Sequence, residues 1–120
     1  MRFAITSATV VPNCSDVSGT GDEPAAGRTA VIFVRPAGVQ GYFYEQPLHF
    51  PTPHTWQANR VVVGDDRSPG QSFELHVYAV SDAYAKTLKQ TDGSPYLVTE
   101  VPGQLLTWTA VTRNDKPGNC

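Results

Sequence analysis

Thr29-Ala30-Val31-Ile32-Phe33-Val34-Arg35 is the stretch that decides the fold. Ala30 to Val34 are all apolar, and Val31, Ile32 and Val34 are β-branched. A half-exposed strand alternates apolar with polar; this run is apolar on both faces, so it reads as a central strand. Further along, Phe73, Leu75, Val77 and Ala79 alternate with Glu74, His76 and Tyr78. That pattern is a strand with one face buried. Between the two, Pro36, Gly38 and Gly41 mark a hairpin connection, and Tyr42-Phe43-Tyr44-Glu45-Gln46 resumes as an aromatic strand.

The remaining segments fit the same class. Gln57 to Gly64, containing RVVVG, reads as a strand, and Gly103 to Arg113 as a last long one with Leu106, Trp108 and Ala110 on one side. Weaker strand signals lie at Arg2 to Thr6 and Asp16 to Gly21. Pro47, Pro51 and Pro53 break any ladder they sit in, so Pro47 to Thr55 is expected to be an irregular or edge segment. Turns are expected at Glu23 to Gly27 and Asp65 to Gly70. A single short helix is expected over Asp82 to Gln90, capped by Ser81 or Asp82 and ended by Thr91 to Pro95. The sum is an all-β, immunoglobulin-like sandwich of about seven strands with one short helix between late strands. Residues 1–120 are long enough for one core and read as a single domain.

Composition narrows the setting. Only 17% of residues are charged, against about 25% in ordinary globular domains, and the net charge is −2. Nucleic-acid binding needs concentrated positive charge, which the scattered Lys and Arg do not supply in sequence. There is no run of about 20 apolar residues to insert into a membrane. The two cysteines, Cys14 and Cys120, stand at the front and the very end. A disulfide between them would enclose nearly the whole chain and suit an oxidising, extracellular location. No signal peptide is legible after Met1-Arg2; the start reads as a mature domain whose signal peptide has been removed.

The order of features resembles immunoglobulin-like accessory modules of secreted and cell-surface actinobacterial proteins. The resembling residues are Ile5 to Ser7, Cys14, Val17 to Gly21, Val31 to Arg35, Tyr42 to Tyr44, Trp56, Val61 to Gly64, Pro69 to Leu75 and Asp82 to Leu88. The resemblance implies a secreted, bacterial location and a sandwich fold. It brings no catalytic residues with it.

The chemistry-bearing motifs are sparse. Gly-x-Ser-x-Gly, His-Glu-x-x-His, Cys-x-x-Cys and the phosphate-binding glycine loop are all absent, so no catalytic residue and no cofactor is assigned. His49 and His54 lack a third ligand nearby in sequence and read as loop histidines. Asp65 and Asp66 lack the alternating oxygen ligands of a calcium loop, so no metal site is assigned. Asn13-Cys14-Ser15 matches a glycosylation sequon only formally.

The aromatic residues remain as the functional lead. Tyr42 and Tyr44 share one strand face, Tyr78 alternates away from the Phe73–Leu75–Val77 face, and Trp56 sits beside His54. Tyr42, Tyr44, His54, Trp56 and Tyr78 are therefore the candidate binding residues, with a surface expected around Tyr42 and Trp56. The expected function is a non-enzymatic extracellular binding or scaffold module that contacts a protein partner. Such a module could also form part of a larger secreted assembly, such as a toxin particle. A glycan-binding module using the aromatics is one alternative. A secreted hydrolase, or a protease inhibitor presenting Pro47 to Pro53, is the other.

Overall fold

The computed structural model describes residues 2–64, 67–88 and 97–116. In chain order the elements are β1 (Ala4–Ile5), β2 (Val10–Val11), β3 (Cys14–Thr20), β4 (Arg28–Pro36), β5 (Tyr42–Pro47), β6 (His49–Thr52) and β7 (Thr55–Val62). They continue with β8 (Ser72–Ser81), α1 (Asp82–Ala85), β9 (Leu97–Val98) and β10 (Gly103–Arg113). A four-stranded sheet in the order β1-β3-β7-β6 packs on a six-stranded sheet in the order β2-β10-β8-β4-β5-β9. The fold is an immunoglobulin-like β-sandwich, all-β except for α1 between the late strands β8 and β9. No helix among the described residues is long and apolar enough to cross a membrane.

The alternation in β8 places its apolar set inward, as the sequence predicts. Phe73, Leu75 and Val77 meet Ile32 and Val34 of β4, Val17 of β3 and Trp56, Ala58 and Val61 of β7 in the core between the sheets. The central position expected for Thr29–Arg35 also holds, since β4 lies between β8 and β5. Its other face is covered as well. Val31 and Phe33 enter a second core on the back of the six-stranded sheet with Tyr44, Val80 and Leu88, flanked by Tyr84, Ala85, Val98 and Val101. The cover comes from the connection between β8 and β10, which carries α1 and pairs β9 antiparallel with β5.

Of three local expectations, one holds in its edge form and two need correction. The proline segment takes the edge form: β5 runs to Pro47, and β6 closes one side of the four-stranded sheet, pairing antiparallel with β7. Pro51 is tolerated because β6 is an edge strand, where a missing N–H breaks no ladder on the open side. Second, the helix is shorter than predicted. Ser81 Oγ accepts from the Tyr84 amide as expected, but the helical residues end at Ala85, and positions 89 and 90 lie outside the described residues. Third, Leu106, Trp108 and Ala110 do not share a side. A register shift between Leu105 and Thr107 inserts one residue, so Leu106 packs on the main core while Trp108 turns outward.

The Cys14–Cys120 staple has only its first end among the described residues. Cys14 opens β3, is buried and is not a free thiol. It is the sole cysteine among the described residues, which contain no Sγ–Sγ contact; Cys120 lies outside them, as do Asp65, Asp66 and the Thr91–Pro95 helix stop. Within the described fold, backbone pairing ties the chain's front to its end. The Thr112 amide donates to the Thr9 carbonyl, Asn114 to Val11 and Asn13 to Lys116. The buried Arg113 guanidinium adds bonds to the Val63 carbonyl and to Asn13 Oδ1.

Gly19 shows how tightly β3 and β7 are fitted. A Cβ there would lie 2.0 Å from the Ala4 carbonyl oxygen and 2.5 Å from Trp56 Cζ2. Neither the paired backbone nor a fully buried indole can give way cheaply. Gly19→Ala should cost about 1–3 kcal/mol of stability, read as a lower urea midpoint with an unchanged slope.

Candidate binding surface

The back of the six-stranded sheet carries a row of rings set by strand register. Trp108 of β10 stands opposite His76 of β8, His76 opposite Phe33 of β4, and Phe33 opposite Tyr44 of β5. The β8–β10 connection covers the Phe33–Tyr44 half of this row. The β10 half is open: Trp108 is 52% exposed and Leu105, on the same face, is 43% exposed.

His76 joins the two halves. It is only 6% exposed, and its imidazole stacks on Trp108 with 5.6 Å between ring centres and 14° between planes. Tyr78 lies nearly parallel to His76 at 6.3 Å, and Tyr42 meets His76 edge-on at 5.1 Å. Nε2 of His76 sits 2.8 Å from Glu74 Oε1. An ionised carboxylate only accepts, so Nε2 carries the proton in this contact. Nδ1 is buried and has no hydrogen-bond partner among the described residues. Neither ring nitrogen therefore contacts a serine or cysteine among the described residues, and the Glu74–His76 pair serves no nucleophile there.

Arg35 borders this group. It stands opposite Glu74 in the register, donates through Nε to the Val39 carbonyl at 2.7 Å, and places its guanidinium carbon 5.3 Å from the Tyr42 ring centre. Tyr78 donates to the Tyr42 hydroxyl at 3.4 Å. Burial, together with that hydrogen bond and the neighbouring Tyr42 hydroxyl, pushes the Tyr78 phenol up to about 12, with Arg35 opposing. Burial, then the charge of Glu45, also raises the Tyr44 phenol.

The five aromatic and histidine candidates do not form one surface. Tyr42 and Tyr78 are half-buried members of the group around His76. Tyr44 shares their side of the sheet but is buried in the second core. Trp56 is 1% exposed; its indole N–H donates to the Thr20 carbonyl at 3.0 Å, and it fills the core between the sheets. His54 lies on the other sheet, in the turn between β6 and β7, where its Nδ1 is 2.7 Å from Asp22 Oδ1 in an exposed pair. No group of three or more His, Cys, Asp or Glu arranged for a metal occurs among the described residues, and His49 stands exposed on β6.

Sequence reasoning missed Trp108, His76, Glu74 and Arg35 as one constellation. Trp108 was assigned to the same side as Leu106 because the alternation carries no mark of the bulge that separates them. No protein-family model, curated protein or solved structure matches the chain.

The raised Tyr78 phenol has a consequence at high pH. An unfolded tyrosine ionises near about 10. The folded state holds the Tyr78 proton to about 12, so its contribution is complete below pH 10. It is lost as pH climbs through the folded value, because the unfolded chain gives up its proton first. Urea unfolding at a series of pH values should show stability falling across that window. Tyr78→Phe should flatten part of the fall.

Proposed function

We propose that the chain is a non-enzymatic binding module of the extracellular space, and that a protein partner docks on the open half of the six-stranded sheet around Trp108. The carrying observation is that a tryptophan 52% exposed stands on a fixed base, stacked on a buried histidine that is itself held by Glu74. A large ring held in place loses little side-chain entropy on binding, and Trp and Arg are the residues most enriched among energetic anchors. Leu105 extends the apolar centre, while Glu74 and Arg35 give it a polar margin. The low charged fraction of 17% fits a surface built for contact with protein rather than with nucleic acid.

The finer reading is an accessory module of a secreted or cell-surface bacterial protein, or one subunit of a larger secreted assembly. It rests on composition and on the order of motifs from Ile5 to Leu88. A glycan is the second reading, because a flat indole beside a carboxylate and a guanidinium also suits stacking on a sugar ring.

The test is retention of partners from the secretome of the producing organism on immobilised domain, with a glycan array in parallel. Trp108→Ala should weaken retention of a protein partner by about 2 kcal/mol or more. The same change should alter folding stability by no more than about 1 kcal/mol, since it removes one half-exposed stacking contact. Retention that ignores Trp108→Ala would refute the docking face. Glycan binding lost in the variant, with no protein retained, would favour the second reading.

A further inference from the structure

The long strand β10 is paired along its whole length on one side only. On that side it follows β8 from Gly103 to Thr112. On the other side β2 pairs with Thr112 and Arg113 alone. Among the described residues, the backbone of positions 103–110 therefore has an open ladder edge. Open edges are ordinarily blunted by charge, by proline or by a bulge. From Gly103 to Thr112 (GQLLTWTAVT) there is no charged residue and no proline. The bulge at 105–107 is the one such device present.

The direction of the open groups can be read from the pairs at its end. The Thr112 amide points to β2, donating to Thr9, whereas the Arg113 amide points to the β8 side, donating to Gln71. Alternation along the strand then turns the N–H and C=O of Ala110 and Trp108 to the open edge.

We infer that a second copy of the chain adds along this edge, its β10 antiparallel to the first across a two-fold axis between Leu106 and Thr107. The contact shares Leu105 and Trp108 with the docking face proposed above, so a second copy and a docked partner compete for these two side chains. The bulge makes the open stretch symmetric in its facing. Gly103 and Leu105 stand opposite Val80 and Tyr78 on the back of the sheet, and Trp108 and Ala110 stand opposite His76 and Glu74 on the same side. Gln104, Thr107 and Thr109 stand opposite Ala79, Val77 and Leu75, and Leu106 packs on the main core. About that axis, Leu105 of one copy faces Trp108 of the other, twice, and Gln104 faces Thr109. Every opposed pair then lies on a matching side of the sheet. The two exposed apolar side chains of β10 cover each other. No like charges are brought together, which is the condition an isologous strand pair must meet.

The contact is small, so the dimer should be weak and concentration-dependent. The experiment is light scattering on the full chain over a concentration series, with amide exchange followed at Trp108 and Ala110. The mass should rise from one copy to two, and both amides should slow as it does. Ala110→Pro should remain a single copy, because it removes an edge-side N–H while keeping the β8 ladder and the ring group around His76. Leu105→Lys should weaken the dimer without altering the backbone. It keeps the test decisive should the proline variant lose its circular dichroism spectrum. A single-copy mass up to millimolar concentration would overturn the inference. So would a dimer that survives Ala110→Pro, or an edge taken by the strand of another protein. Loss of the dimer in Ala110→Pro with partner retention intact would separate this contact from the docking face.

Discussion

Everything else in this molecule depends on β4 being buried on both faces. Ile32 and Val34 point into the core between the sheets, and Val31 and Phe33 into the second core behind them. Each fully buried side chain of this size contributes on the order of 1.5–3 kcal/mol relative to exposure. An ordinary sandwich would leave the second pair wet. Here the β8–β10 connection folds back, docks Leu88, Ala85 and Val101 over them, and adds β9 beyond β5. The part of the six-stranded sheet around β4 and β5 thus becomes a middle layer of the molecule.

That middle layer gives the candidate surface its rigidity. Phe33 meets Tyr42, Tyr44 and Tyr78 edge to face, with ring centres 5.7–5.9 Å apart. Tyr42 and Tyr78 in turn press on His76, and His76 supports Trp108. The chain of contacts runs from a dry core to an exposed ring without crossing a loop. A binding group on such a base keeps its rotamer before a partner arrives, which lowers the entropic cost of association. The opposite end of β5 is fixed across the sandwich as well, because the buried Glu45 accepts the Val62 amide at 2.7 Å.

Much of the fold was legible because burial leaves a period in the sequence. The run from Ala30 to Val34 announced two covered faces, and Phe73–Leu75–Val77 announced one. What covers the second face was not legible. Val98 and Val101 form no period of their own, and β9 is only two residues long. The prolines did mark an edge, since β6 is an edge strand that tolerates Pro51, but which sheet it closes depends on its pairing with β7 and was not legible. The site suffered most. Trp56 stands beside His54 and looks like a loop ring, yet the strand that holds it turns it inward onto Gly19. Trp108 looks inward-facing by alternation, yet one inserted residue turns it out. In both cases the decisive quantity was a register, and register is fixed by pairing with a distant strand.

The most direct test of the two-sided burial compares adjacent substitutions on opposite faces of β4. Ile32→Ala should cost about 2–5 kcal/mol and Phe33→Ala about 3–5 kcal/mol in urea unfolding, since each would empty a site in a closed core. A Phe33→Ala cost within about 0.5 kcal/mol of zero, beside a large Ile32→Ala cost, is what an exposed back face would give. That result would contradict the account.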